Sequence, residues 1–231
     1  MKESVQELEE RFKDADPRDV IAWAARTYPG KTAVTTSFGA DSACLLALLS
    51  EAAPGLPVLF VDTGFHFPET LAYRDRLMEL LKLNLVTVSP AQSHEDFLKD
   101  CGPLYETDPD ACCAANKVEP LKRAVKDLQC WMSGVRGGQT QYRQNMRKFE
   151  TKEGGLLKVS PLLEWDARKV HAYITEKGLP RHPLWEKGYS SIGCEPCTAL
   201  AGDEGDRSGR WRGKAKTECG IHTFLDRSKP S

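Results

Sequence analysis

Two tight pairs of cysteines, Cys112-Cys113 in D-A-C-C-A-A-N-K-V-E-P-L and Cys194-Cys197 in G-C-E-P-C-T, stand far apart in the chain, and a fifth thiol, Cys219, follows in E-C-G-I-H. Thiolates ligate iron-sulfur clusters and zinc, and close spacing is what shared ligation requires. Folding must bring the two pairs together. The direct adjacency of Cys112 and Cys113 discriminates between the metals, because successive residues project differently and both reach one centre more readily when it is larger than a single ion. A cubane cluster spreads its ligand positions over several irons, relaxing the angular demand of tetrahedral zinc. Cys219 stands apart as a candidate nucleophile, a role that needs the thiolate. Arg207, Arg210, Arg212, Lys214 and Lys216 precede it within a dozen positions and would favour that form, although the same stretch also reads as a solvated tail.

The remaining thiols, Cys44, Cys101 and Cys130, read as small buried apolar residues, Cys44 within the run S-A-C-L-L-A-L-L. No leader-like start and no membrane-length apolar run are visible, so the eight cysteines are expected to be reduced in the cytoplasm. A chain of 231 residues with 40% hydrophobic content buries a substantial core without disulfides. Its net charge of -1 argues against a nucleic-acid surface and leaves room for a homo-oligomer. The expected organisation is an α/β domain over residues 1–200 and a C-terminal catalytic segment over 201–231.

Helical patterns and short apolar runs alternate along the chain. An amphipathic start carries Val5, Leu8 and Phe12; strands are expected over 32–37, 57–62, 85–88, 131–135 and 156–159. Helices are expected over 41–52, after Pro68 through Leu81, over 118–128, and from an Asp166 cap through Ile174 to a stop at Gly178. Such alternation implies a mostly parallel twisted sheet flanked by helices, with ligands outside the carboxyl ends of the strands.

Three loops fall at those ends. S-F-G-A-D-S, with Ser37, Phe38 and Gly39, joins the first strand to a helix N-terminus, where free backbone N–H groups suit an oxyanion or phosphate. It is neither a Walker loop nor a G-x-G-x-x-G fingerprint. D-T-G-F-H-F-P-E-T, with Asp62, Thr63 and Gly64, follows the second strand, and S-G-V-R-G-G-Q-T-Q-Y-R brings Arg136 and Arg143 after the strand at Trp131. Arginine's planar fork suits phosphate and sulfate oxygens.

These residues together resemble the assimilatory sulfonucleotide reductases, which reduce adenosine 5'-phosphosulfate or its 3'-phosphorylated form to sulfite. The resemblance covers nearly the whole chain and rests on S-F-G-A at Ser37, D-T-G at Asp62, P-E-T at Pro68, C-C-x-x-x-K-x-x-P-L at Cys112, G-C-x-P-C-T at Gly193 and E-C-G-I-H at Glu218. It implies an adenine-nucleotide alpha-hydrolase-like fold and, for members with both cysteine pairs, a 4Fe-4S cluster and adenosine 5'-phosphosulfate as substrate. By that resemblance Cys112, Cys113, Cys194 and Cys197 are the cluster ligands, Cys219 is the nucleophile, Lys117 links the cluster region to the substrate's sulfate, and thioredoxin supplies the electrons. An α-helical Cys113–Lys117 segment would put both residues on one face. His222, Arg136, Arg207 and Arg210 are expected to neutralise substrate charge. The loop after Arg136 carries Gly137 and Gly138 where relatives commonly have a second arginine, so Arg143 is a candidate to supply the missing charge. Two other readings compete: an ATP pyrophosphatase, whose S-G-G-x-D-S signature Phe38 interrupts, and a metal-binding sensor without turnover.

Overall fold

The computed structural model describes residues 3–202 and 207–224. Branched and apolar runs form β1 (Thr32–Thr35), β2 (Pro57–Val61), β3 (Asn84–Val88), β4 (Cys130–Ser133), β5 (Phe149–Thr151) and β6 (Leu157–Val159). They make one sheet in the order β3-β2-β1-β4-β6-β5. Every pairing is parallel except β5 with β6. Chain order runs outward from β1 in one direction through β2 and β3, and in the other through β4. A ligand crevice is therefore expected beside the carboxyl ends of β1 and β4.

Helices cover the sheet: α1 (Val5–Arg11), α2 (Pro17–Thr27), α3 (Ser42–Ala52), α4 (Pro68–Leu81), α5 (His94–Cys101), α6 (Leu104–Thr107), α7 (Pro109–Cys113), α8 (Glu119–Val125), α9 (Gln141–Gln144) and α10 (Ala167–Glu176). Seven successive residues of α3, Ala43 through Leu49, are buried, which explains why its sequence is apolar all round. Strand residues divide between two faces: Val34, Val58, Phe60 and Met132 join the larger core around α3, whereas Ala33, Leu59 and Trp131 pack with Leu121 and Val125 of α8. Burial on both faces is what a parallel sheet requires.

Several expectations change. The first strand stops at Thr35, freeing Thr36 and Ser37 for the loop, and the fourth stops at Ser133. The edge strand β5 carries no strong sequence signal of its own, whereas helix α2, absent from the expected elements, has an Asp16 cap and Pro17 opening an amphipathic run. Cys44 and Cys130 are buried as expected, but Cys101 ends α5 in solvent.

Phe38 changes most. Its backbone adopts φ 49°, a region L-residues other than Gly, Asn and Asp rarely enter. The ring is fully buried and meets Phe60 edge-on, with centroids 5.5 Å apart. Packing thus holds a conformation that glycine would adopt freely. Phe38→Gly should relieve the backbone but empty the core, with a net loss of roughly 2–4 kcal/mol in denaturant unfolding. A stabilised variant would contradict this reading.

Candidate active site

A cavity of about 200 Å³ opens where β1, β2 and β4 end. Ser37 and Gly39 line it from the first loop. A Cβ on Gly39 would stand 3.1 Å from the Ile192 carbonyl oxygen, so glycine lets the 190–193 loop close that wall. Phe38, expected to touch substrate, instead turns its ring into the core. Asp41 begins α3 without capping it; its carboxylate accepts from Arg136 Nη2 at 2.5 Å and meets His171 Nε2 at 3.3 Å. Burial works against the charge on Asp41, but His171 and Arg136 outweigh it and hold the carboxyl below its ordinary range. Arg136 is thereby fixed at the mouth of α3, where the Ser42 and Cys44 N–H groups donate to the Gly39 and Asp41 carbonyls at 3.0 and 3.2 Å.

The second loop serves the cysteines more than the cavity. Asp62 Oδ1 accepts from the Gly64 N–H at 3.0 Å, turning the chain, and Thr63 Oγ1 hydrogen-bonds Cys194 Sγ at 3.2 Å. The Phe65 carbonyl accepts from the Glu195 N–H at 2.7 Å, while His66 bridges to Cys194. Asp62, Thr63 and Gly64, expected at the substrate, stand outside the lining of this cavity: Thr63 holds Cys194, while Asp62 and Gly64 shape the turn beside it.

Cys112, Cys113, Cys194 and Cys197 lie in one apolar cluster with Phe65, Phe97 and Trp211, and Cys219 packs against it. Each of the four is between 5% and 8% exposed. Burial, reinforced by Cys194 and Cys197, pushes the Cys112 thiol up to about 11, and burial pushes Cys113 up to about 12. Burial also pushes the Cys197 thiol up, and cations sharing the chamber would convert these raised thiols to thiolates.

The helix bearing the first pair departs from α geometry. Residues Ala114–Val118 form a π turn between α7 and α8, with the Glu119 N–H donating to the Ala114 carbonyl. Asn116 Nδ2 donates to the Cys112 carbonyl at 3.1 Å. The lysine therefore faces the cysteines from a π turn, not the α-helical face expected, and such turns recur at functional sites. Lys117 is buried. Burial disfavours its charge, yet the sulfurs of Cys194, Cys219 and Cys113 outweigh that and keep the ammonium above its ordinary value.

Among the described residues, Lys117, Arg136, Arg143, Arg207 and Arg210 line the cavity against one lining carboxylate, Asp41. Arg210 Nη2 and Arg207 Nε are buried with no hydrogen-bond partner among the described residues. Burial, then the neighbouring Arg143 and Arg210, push Arg207 down to about 10, so an entering anion would relieve the crowding. Arg143 does not supply the spare charge expected of it: its Nε and Nη2 donate to Glu218 at 2.7 and 2.9 Å.

Residues 207–224 are docked against the body. The Trp211 N–H donates to the Cys197 carbonyl at 3.1 Å, and Arg210 Nε to the same carbonyl at 3.2 Å. Cys219 is half-buried at the cavity. Burial alone would push its thiol up, but Lys117, the Ile221 N–H and Arg210 bring it below the ordinary value. His222 stacks on Trp131 with centroids 6.2 Å apart. Burial and the cations Lys158, Arg143 and Arg207 hold its imidazole well below the ordinary value, so beside these cations it stands as a neutral ring on the cavity lining. The pairing of Glu218 with Arg143, the Asp41–Arg136–His171 group and the cavity face of His66 had no spacing signal in the sequence. The acidic Asp203, Glu204 and Asp206 lie outside the described residues.

A family profile described as the phosphoadenosine phosphosulfate reductase domain matches residues 31–200. The chain is similar to a Streptomyces coelicolor adenosine 5'-phosphosulfate reductase, 39% identical over 91% of this chain and 90% of that protein. It is equally similar to a Gloeobacter violaceus phosphoadenosine 5'-phosphosulfate reductase, at 40% identity over 95% of this chain and 93% of the other. Among solved structures, phosphoadenylyl-sulfate reductase from Candida auris, in a phosphate complex, aligns with a TM-score of 0.75 at 30% identity, covering 86% of this chain and 99% of that one. A nucleotide-type α/β crevice, a cationic cavity and a lowered thiol at its edge thus coincide with matched length and sequence: the chain belongs to the phosphoadenosine phosphosulfate reductase domain family.

Proposed function

We propose that the protein reduces adenosine 5'-phosphosulfate to sulfite and AMP, with thioredoxin as electron donor, in sulfate assimilation. The observation that carries this is Cys219, a half-buried thiol held below its ordinary pKa beside Lys117 and Arg210 in the cationic cavity. The Cys219 thiolate attacks the sulfate sulfur, an S–S bond forms, the sulfur–oxygen bond to phosphate breaks, and AMP leaves with that electron pair. The cationic groups neutralise the anions that would otherwise repel the thiolate. A thioredoxin thiolate then attacks Cys219 Sγ in the S-sulfocysteine, expelling sulfite and leaving a mixed disulfide. Its second thiol resolves that disulfide and restores Cys219. The donor dithiol is oxidised by two electrons as sulfur is reduced from the sulfate to the sulfite level.

Cys112, Cys113, Cys194 and Cys197 fit a 4Fe-4S cluster: four buried sulfurs in one apolar chamber, with hydrogen bonds from neighbouring polar side chains and Lys117 as a counter-charge. Among the described residues no three His, Cys, Asp or Glu donors converge to hold a single metal ion, so this reading rests on the donor set and its shared chamber. When bound, the cluster supplies a fixed inorganic charge and scaffold, while thiols carry the reducing electrons.

Relatives named for the two sulfonucleotides are equally close, so the paired cysteines carry the choice of substrate. The direct test is sulfite release with thioredoxin and each sulfonucleotide. Release from the 3'-phosphorylated compound alone would reverse the substrate assignment. ATP cleavage to pyrophosphate, with no sulfite, would replace the reading with that of an ATP pyrophosphatase.

Gly193 offers a second check. A Cβ there would collide with the Arg210 guanidinium. Gly193→Ala should displace that fork and lower kcat/KM about 10- to 100-fold with the unfolding midpoint nearly unchanged. Equal loss of stability and activity would mean the glycine serves the fold.

A further inference from the structure

The five residues around the nucleophile are held at both ends. On one side Glu218 is nearly buried, its carboxylate accepting from Arg143 Nε and Nη2 at 2.7 and 2.9 Å and from Thr140 Oγ1 at 2.9 Å. Arg207 stands 4.0 Å from the same group. On the other side the His222 carbonyl accepts from Lys158 Nζ at 3.3 Å and Tyr142 OH at 3.4 Å. Between them Gly220 takes φ 85°, and a Cβ on it would stand 3.0 Å from Val118 in the π turn that carries Lys117. The glycine sets a close approach between the tail and the turn; the two clamps decide which residue of the tail arrives there.

The clamps differ in kind. The His222 side uses a backbone carbonyl, which any residue would offer. The Glu218 side uses a forked carboxylate matched to a planar guanidinium, a directional pairing that fixes orientation as well as distance. It is adjacent to the thiol, so a small rotation at Glu218 is passed directly to Cys219. Both carboxylate oxygens are occupied, which leaves the group no evident acid–base role.

We infer that Glu218 is a positioning residue for the reaction: its forked pairing with Arg143, steadied by Thr140, seats Cys219 at the cavity for attack on the substrate. This rests on the nucleophilic role of Cys219 proposed above. Arg143 consequently acts on the chain's own carboxylate, which explains why the loop after Arg136 tolerates glycines: substrate charge is met by Lys117, Arg136, Arg207 and Arg210.

The test uses the full, cluster-loaded protein carrying Glu218→Gln. Misplacement of a reacting atom by about 1 Å can cost ~100-fold, so sulfonation of Cys219 in a single turnover without reductant should slow by that order. KM should change little, and thioredoxin should release sulfite from preformed adduct at the wild-type rate. Trypsin should cut faster after Arg212, Lys214 and Lys216. The exchanged pair Arg143→Glu with Glu218→Arg should recover part of the loss, and Thr140→Ala, which keeps the ion pair, should slow sulfonation less. Wild-type sulfonation and tail cleavage in Glu218→Gln would overturn the inference. If the wild-type protein forms no adduct, the nucleophilic reading falls instead, and unchanged cleavage of the tail would then remove the seating role as well.

Discussion

Cys219→Ser should lower sulfite release by more than ~1,000-fold while the variant still binds AMP and retains its iron. A thiol beside Lys117 and Arg210 reaches its anion below the ordinary thiol range, because those charges overcome burial. A serine hydroxyl in the same place does not ionise usefully near neutrality, and oxygen is the poorer nucleophile toward the sulfate sulfur. The substitution exchanges one sulfur for a smaller oxygen at a half-buried position, so neither the cavity nor the cysteine chamber need change. Activity assay, AMP binding by calorimetry and iron per chain check the three parts separately. Retained turnover would assign the chemistry to another thiol.

Lys117→Ala should reduce kcat by about 100- to 1,000-fold, the usual cost of removing one preorganised charge from a reacting anion. It should also move the acid limb of kcat/KM. Cys219 titrates below its ordinary value because, against the burial that raises it, Lys117 is the largest of the influences that lower it. Activity therefore rises with pH as the thiolate forms and levels off above that lowered value. Without the ammonium the thiol pKa rises, and the limb shifts to higher pH. Turnover should recover partly at alkaline pH for this reason. Full iron content must accompany the loss, since Lys117 also faces Cys113 and Cys194. Unchanged turnover with full iron content would defeat the role given to the lysine.

The sheet was legible because buried parallel strands are short branched runs, and T-A-V-T and P-V-L-F-V carry that signal locally. The apolar α3 was legible because its alanines and leucines favour helix and run too long for a strand. β5 was not: three residues at a sheet edge take their conformation from β6, to which they pair in the opposite sense. The cysteine pairs declared themselves by spacing, yet what gathers them did not. Thr63 reaches Cys194 across 131 positions, and no local pattern records such a contact.

Charge misled where partners are distant. Arg143 looks like a free phosphate ligand until Glu218, 75 positions later, takes its fork. His222 looks like a cation until Lys158 and the arginines surround it. Phe38 looks like part of a binding loop because its neighbours are, whereas its left-handed backbone sends the ring the other way. The π turn at Lys117 is invisible in composition, since each of its residues would also sit in an α-helix.

Sulfite formation begins with a covalent step at one sulfur, that of Cys219. Mixing the cluster-loaded protein with adenosine 5'-phosphosulfate in the absence of thioredoxin, then measuring intact mass and mapping the modified peptide, examines that step alone. The predicted result is one added sulfonate on Cys219, released as sulfite when thioredoxin is supplied. An unmodified Cys219, in protein with its full iron complement and substrate bound, would contradict it.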